Sequence, residues 1–417
     1  MADPITPAGP SATIMADAPV PLGDPAALRQ LLVSRGMSAT ADDESLLRAA
    51  SAAEHKLAIT LLSAWEAAGM RLRDAQRAEL ADNRTRIERY RSTWAVISAI
   101  APGAMLVKGS MIAAHYPAGL LRAAGDLDVI CPAEQLWSAA LVLIEQGWEL
   151  GAFTILNART PRAVRRAAGR AGWEPQISIA LYQPSDTSIE DPYEVELRTV
   201  DVATSMRLPS WRLAGMPMSP VTASVLALVA ERWERPFRSR DVFDLAVLSD
   251  HLDDADLASL RSALTVTGLW PEQRELSALL NRSGLRPAPR LAGERRSALA
   301  ARSVRLLAAV RRWANPVRVL GYLSVTTVDK DRGKLADRLA QFVHERIGAW
   351  RLFRLRLPLF TVPLPTGHPG GGPDAMRLVR RGPHLVAVSP VGSFLLVAGS
   401  CQEIWLEQAA EEPAASA

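Results

Sequence analysis

The sequence has few of the features that mark secreted or membrane-bound proteins. Its 417 residues contain only two cysteines, Cys131 and Cys401, which excludes a disulfide framework and a cysteine-based metal site. No apolar run reaches the length of a membrane span, and the N-terminus lacks the basic segment and apolar core of a secretory signal. We therefore expect a cytoplasmic protein with no membrane span.

The composition is that of a folded chain. Apolar residues make up 48% of the sequence, which is enough for the buried cores of two or three domains. The formal net charge is only +4, so basic character has to be judged region by region. The abundance of Ala and Arg is typical of a GC-rich bacterial genome and carries no information about function.

Two short motifs lie close together between residues 104 and 130. An apolar run, residues 104–107, predicts a buried strand that ends in Lys108-Gly109-Ser110. Asp126 and Asp128 then alternate with apolar residues, which is the pattern of a strand with both carboxylates on one face. Like charges this close repel each other, so the pair makes sense if a cation lies between them, and Mg²⁺ prefers such oxygen ligands.

These motifs resemble those of a known superfamily. The chain is similar to the nucleotidyltransferase superfamily, which has the DNA polymerase β-like fold, in the order of Lys108-Gly109-Ser110, Tyr116-Pro117, Arg122 and Gly125-Asp126-Leu127-Asp128. It most resembles a bacterial branch of largely uncharacterised nucleotidyltransferases that is more distantly similar to abortive-infection toxins. The resemblance covers about residues 78–250.

The resemblance implies an enzyme that moves a nucleoside monophosphate from an NTP donor to a hydroxyl acceptor with the help of Mg²⁺. It implies two Mg²⁺ ions, held by three carboxylates: Asp126, Asp128 and Glu196. It also implies that the phosphates of the NTP contact the residues around the Gly-Ser turn, namely Lys108, Gly109, Ser110 and Arg122.

The third carboxylate lies in a further predicted strand, residues 193–200. Glu194 and Glu196 share one face of that strand, so alternation does not choose between them. Relatives carry this acid directly before a leucine, as Glu196 stands here, usually as Asp-Leu-His, whereas this chain has Glu-Leu-Arg. We therefore predict that Glu196 lies on the same side of the sheet as Asp126 and Asp128.

Two other regions are strongly basic. Residues 232–245 place arginines around Asp241 and Asp244, as in the small-toxin relatives, where the basic side chains face the nucleotide. The alternative is an Arg/Asp network that joins two helices. Residues 282–356 contain 18 Lys and Arg against 5 Asp and Glu, a difference of +13. Their basic faces are either solvated or bind an anionic partner such as nucleic acid, an acidic peptide or a membrane surface.

The predicted fold class is α+β: a small mixed nucleotidyltransferase sheet flanked by helices, with N-terminal helices, a helical basic C-terminal region and a small terminal β-element. The spacing predicts a charged helix over 71–99, and the resemblance implies that this helix packs on the back of the sheet. The last strand is expected over 403–406. The expected units are a disordered leader (1–24), an N-terminal helical region (25–100), the catalytic domain (101–255), a basic helical domain (256–365) and the β-element with its tail (366–417).

The sequence does not identify the acceptor. The first hypothesis is transfer to a small molecule or a biosynthetic peptide. The second is a toxin-like transferase that acts on tRNA, which tRNA binding to residues 282–356 would favour. The third is a non-catalytic binding or regulatory protein with the same fold, against which the intact pair Asp126 and Asp128 argues.

Overall fold

A computed structural model describes residues 20–151, 153–157, 175–199, 216, 218–233, 235–289, 291, 341–354, 359–364, 376–398, 401–411 and 415–416. Within these ranges the chain is α+β, with one mixed sheet flanked by helices, as the sequence predicted. Most of the predicted leader, most of the basic region 282–356 and the start of the last predicted unit lie outside the described residues.

From residue 20, where the described residues begin, four helices come first: α1 Pro25–Ser34, α2 Asp43–Ala53, α3 His55–Ala67 and α4 Asp74–Ile100. The side chains of Asp24 and Asp42 cap α1 and α2 by accepting hydrogen bonds from the first backbone N–H groups. Helix α3 is the most buried of the four, because every residue from 57 to 65 is shielded from solvent. Helix α4 confirms the helix predicted over 71–99, and its Tyr90 and Ile97 pack against the back of the sheet.

The central strands and helices follow the order expected from the motifs. They are β1 Met105–Val107, α5 Gly109–Ala113, β2 Leu127–Ile130, α6 Leu136–Glu145, β3 Glu149–Leu150, β4 Thr154–Asn157, β5 Pro175–Gln183 and β6 Tyr193–Arg198. Strand β2 lies between β1, which is antiparallel to it, and β6, which is parallel. The sheet continues from β6 to β5 and β4, so β2 is an interior strand.

A second group of helices follows: α7 Pro220–Ala230, α8 Ser239–Ser249, α9 Asp254–Thr267 and α10 Trp270–Ser283, with a short 3-10 turn at Glu231–Trp233. They share one apolar core with α1, α2, α3 and α5. The N-terminal helices therefore pack on the later helices rather than standing apart from them.

The C-terminal strands do not form a separate β-element. Residues 341–347 are helical and precede α11 Ala349–Arg354, β7 Leu359–Pro363, β8 Arg377–Arg381, β9 His384–Ser389, β10 Gly392–Val397, α12 Glu403–Glu411 and β11 Ala415–Ser416. Strand β7 pairs with β4, so these strands extend the central sheet to eleven strands in the part of the chain that the structure describes. The strand predicted over 403–406 is wrong: Trp405 and Ala409 are both buried, and their spacing of four residues is that of a helix.

The two faces of β2 meet different surroundings. Leu127 and Val129 point into the core formed by the sheet, α4 and α6. Ile130 belongs to the helical core on the other side, so alternation along the strand turns Asp128 towards the helices as well. Among the described residues, no helix is long and apolar enough to cross a membrane.

His344 is buried between the C-terminal sheet and α12. The ring is 5% exposed and stacks on Trp405 with centroids 4.9 Å apart. Its Nδ1 atom accepts a hydrogen bond of 3.2 Å from the backbone N–H of Ala398. Burial, with a smaller contribution from His384, lowers the pKa of His344 from 6.5 to about 4, so the folded protein holds this ring neutral.

We predict that this histidine makes stability depend on pH. Between pH 6.5 and about 4 the unfolded state binds more protons than the folded state, so stability falls as pH falls through that window. The loss from this one ring is at most about 3 kcal/mol. His344→Gln keeps an acceptor for Ala398 but does not titrate, so its free energy of unfolding should depend less on pH. Urea unfolding from pH 7 to pH 4 measures both proteins, and parallel curves would contradict the prediction.

Candidate active site

A polar cleft opens where the carboxylate face of β2 meets the helices. Its walls come from the α2–α3 junction, the β1–α5 turn, the start of β2 and the segment that joins α7 to α8. Six basic and five acidic residues line it together with Gly109 and Leu228; the basic ones are Lys56, Lys108, Arg122, Arg235, Arg238 and Arg240, and the acidic ones are Glu54, Asp126, Asp128, Glu231 and Asp241. The basic side chains of this lining favour an anionic ligand, and its carboxylates can bind a cation.

Asp126 and Asp128 stand together in this cleft, as the sequence predicted. Asp128 is 4% exposed, and burial raises its pKa, with the charge of Asp126 adding to the effect and Arg198 opposing it. For Asp126, burial alone would raise the pKa, but the nearby cations Lys56, Lys108, Arg240 and Arg198 together outweigh burial and hold the pKa below its usual value. Cations of the protein therefore stabilise the charged form of Asp126, whereas burial disfavours the charged form of Asp128.

The Gly-Ser turn is held tightly against the aspartates. A Cβ atom on Gly109 would lie 3.3 Å from the carbonyl oxygen of Asp126, so glycine allows the closest approach here. Lys108 has φ 51°, the only positive φ of a non-glycine residue in the described part of the chain. Its backbone N–H donates to Ser224 Oγ at 2.9 Å, and its Nζ donates to Glu231 Oε1 at 2.8 Å. These contacts fix the turn in a conformation that L-residues rarely adopt.

Arg122 is buried, and each of its three side-chain nitrogens donates a hydrogen bond within the protein. Its Nε and Nη2 atoms donate to the two oxygens of Asp244 at 2.9 and 2.7 Å, and its Nη1 donates to the Gly109 carbonyl at 2.9 Å. Tyr116 donates from its hydroxyl to the same carboxylate at 2.6 Å. Arg122 thus ties the Gly-Ser turn to α8. Arg122 also lines the cleft. Its contact with the phosphates of an NTP stays a prediction.

The arginines of the α7–α8 segment line the cleft and form an ion-pair network, which is the second of the two alternatives drawn from the sequence. That these arginines face a nucleotide stays a prediction. Arg235 forms a two-bond pair with Asp241 at 2.7 and 3.0 Å. Arg238 and Arg240 both lie 3.3 Å from Glu54 Oε1. The other oxygen of Glu54 is buried without a partner in the described part of the chain, and it belongs to a cleft residue.

Glu196 lies on the face predicted for it, but protein groups already hold it. It is the direct partner of Asp128 in the pairing of β2 with β6, while its neighbours Val195 and Leu197 point into the opposite core. One oxygen accepts from Ser178 Oγ at 2.6 Å, and the other is bonded by Arg198. Arg198 Nη2 also lies 3.2 Å from Asp128 Oδ1, so the two carboxylate oxygens lie within about 6 Å of each other.

Glu194 shares the same face of β6. Burial raises its pKa, and the charges of Asp126 and Asp128 raise it further. The hydroxyl of Tyr182 donates a hydrogen bond of 3.4 Å to Glu194 Oε1. Glu194 is therefore less firmly held than Glu196 while still within the field of the aspartate pair.

Sequence reasoning missed the contribution of the N-terminal helices. The ammonium group of Lys56 lies over Gly125, in the space that a side chain there would fill, and next to Asp126. Burial and the charge of Arg240 lower the pKa of Lys56. One signal was present: Glu54 and Lys56 are charged residues directly before a mostly apolar run, residues 57–65. Glu231, the partner of Lys108, was also missed.

The residues present suit one divalent cation better than two. Mg²⁺ commonly takes one or two carboxylates and completes its shell with substrate phosphates and water, and Asp126 with Asp128 fits that pattern. Within the described ranges, no group of three or more Asp, Glu, His or Cys side chains is placed to hold a metal by itself. Ser110 lies in the first turn of α5 and outside the cleft lining. The two-ion arrangement with Glu196 stays a prediction.

Comparisons with known proteins give no match for this chain. No protein-family model matches it, and neither curated proteins nor solved structures give a significant match. Function is therefore inferred from the residues of the cleft.

We predict that the backbone at residue 108 is strained. Lys108→Gly and Lys108→Ala both remove the ion pair with Glu231, so the two variants differ mainly in backbone freedom. Glycine adopts positive φ without the steric cost that alanine meets, so Lys108→Gly should be the more stable variant by about 1 kcal/mol. Urea unfolding of the two variants measures the difference. Equal stability would show that the turn stores no strain at this residue.

Proposed function

We propose that this protein is a Mg²⁺-dependent nucleotidyltransferase with a polymerase β-like catalytic sheet. It transfers a nucleoside monophosphate from an NTP to the hydroxyl group of a small molecule or a biosynthetic peptide in the cytoplasm. The observation that carries the proposal is the placement of Asp126 and Asp128 beside the Gly109 turn in a cleft with six basic side chains. A triphosphate with a divalent ion matches both signs of charge in that cleft.

Three kinds of group in the cleft have a role in this proposal: the aspartate pair, the glycine turn and the basic side chains. Asp126 and Asp128 would hold the metal, and Gly109 lets the backbone approach the phosphates. Lys108 and the arginines of the α7–α8 segment provide fixed positive charge for the phosphate oxygens. When bound, Mg²⁺ supplies charge stabilisation for the phosphoryl group in the transition state.

The transfer has a simple atomic balance. The acceptor oxygen forms a bond to the α-phosphorus while the bond from that phosphorus to the bridging oxygen breaks. Pyrophosphate leaves with the electron pair of the broken bond, and the proton of the acceptor hydroxyl passes to water. The protein contributes mainly orientation and charge, which suits a site made of ion pairs rather than of a nucleophile.

A second candidate function is nucleotide binding without catalysis. It is favoured by one observation: the acids of the site are already paired with cations of the protein, including Glu196 with Arg198 and Lys108 with Glu231. A tRNA-directed transferase rests on residues 282–356, most of which lie outside the described residues, so no structural observation favours it.

The experiment that separates these functions uses the full chain with Mg²⁺, a bacterial lysate and each NTP labelled in turn at the α-phosphate. A transferase moves the label to an acceptor, and the mobility and nuclease or protease sensitivity of the product identify its class. Label in protease-sensitive or small products supports the first function, and label in tRNA supports the toxin-like one. NTP binding without any labelled product supports the non-catalytic function.

We predict that Asp126→Asn and Asp128→Asn each lower label transfer by roughly a hundredfold or more, because each removes charge from the metal site. The matched control is Asp74→Asn, since the Asp74 side chain is 95% exposed at the start of α4. Circular dichroism checks that the variants fold. Transfer near the wild-type rate in either site variant would remove the metal role of that residue.

A further inference from the structure

Arg198 joins the two carboxylates that a two-ion centre would share. Its Nη2 atom lies 3.2 Å from Asp128 Oδ1 and is also bonded to Glu196 Oε2. Asp128 and Glu196 are direct partners in parallel strands, so their side chains leave the sheet side by side. The guanidinium group therefore fills the space in which an ion bridging these oxygens would have to lie, because such an ion sits about 2 Å from each of them.

Neighbouring groups hold Arg198 in this place. It is the last residue of β6, and its backbone pairs with Ile130 on one side and Ser178 on the other. Its side chain is 11% exposed, and Ser178 occupies the second oxygen of Glu196 at 2.6 Å. Both oxygens of Glu196 are thus committed to protein groups.

The charge of Arg198 is permanent. A guanidinium group is not deprotonated in proteins, so no change of pH frees the space that it fills. Its Nη1 atom is buried without a partner in the described part of the chain. The contacts with the two carboxylates therefore determine where the guanidinium group lies. On the polar face of the sheet, the positive charge of Arg198 therefore balances negative charge of Asp128 and Glu196.

We propose that this centre binds a single divalent ion, at Asp126 and Asp128, and that Arg198 supplies the positive charge that a second ion would otherwise bring. The proposal rests on the proposed function and narrows it, because it limits the metal content of the site. Arg198 lies behind Asp128 rather than in the lining of the cleft, so it acts as a positioning residue through that carboxylate.

The test counts the Mn²⁺ ions bound to the full-length protein, by the electron paramagnetic resonance signal of the ions left free. A double variant, Asp126→Asn with Asp128→Asn, gives the background from other surface carboxylates. Above that background the wild type should bind one ion per chain. Arg198→Met removes the charge and frees Asp128 and Glu196, and this variant should bind two.

Two controls locate the second ion. Arg198→Lys keeps a positive charge next to the carboxylates and should stay at one ion per chain. Arg198→Met combined with Glu196→Gln removes a ligand of the second ion and should return to one. Circular dichroism confirms that each variant is folded before its ions are counted.

The outcomes separate this proposal from the proposed function. Two ions in the wild type would overturn the single-ion centre, and one ion in folded Arg198→Met would overturn the role given to Arg198; either result leaves the transferase proposal intact. No ion above background in either protein would overturn both, because the aspartate pair would then hold no metal.

Discussion

The buried pair of Arg122 with Asp244 is the contact on which the cleft depends. Both side chains are almost fully shielded, at 3% and 1% exposure, so removing either one leaves the other charge in the interior without its main partner. Breaking such a pair costs about 3–5 kcal/mol, a large part of the stability of a typical domain. Because Arg122 also bonds the Gly109 carbonyl, the pair links the position of the Gly-Ser turn to that of α8.

The charges that line the cleft nearly balance. Six basic and five acidic residues line a small volume, and the surrounding elements are apolar helices and an interior strand. Few of these charges are fully solvated, so each needs a partner, and the ion pairs of Lys108, Arg235 and Arg240 meet that need. A polyphosphate ligand would exchange some of these partners for its own oxygens, so the pairs preorganise basic groups for an anion.

Local patterns predicted the parts of the site that lie in one stretch of chain. The alternation around Asp126 and Asp128 placed both on one face. Alternation also put Glu194 and Glu196 on one face of their strand, but the prediction that Glu196 lies beside the aspartates came from the resemblance. Strand alternation says nothing about which cation lies nearest, so the contact of Arg198 with Asp128 could not be predicted. Glu54 and Lys56 reach the cleft only because distant helices pack together. The last helix was missed because Ile404, Trp405 and Leu406 form an apolar run too short to show a period.

The proposed transferase requires the cleft to bind a nucleoside triphosphate through a divalent ion held by Asp126 and Asp128. Isothermal titration calorimetry of the full chain with each NTP, in Mg²⁺ and in EDTA, measures this binding. We expect binding of at least one NTP in Mg²⁺, loss of that binding in EDTA and a weaker affinity in Asp126→Asn. Equal affinity in Mg²⁺ and in EDTA, or no binding of any NTP, would contradict it.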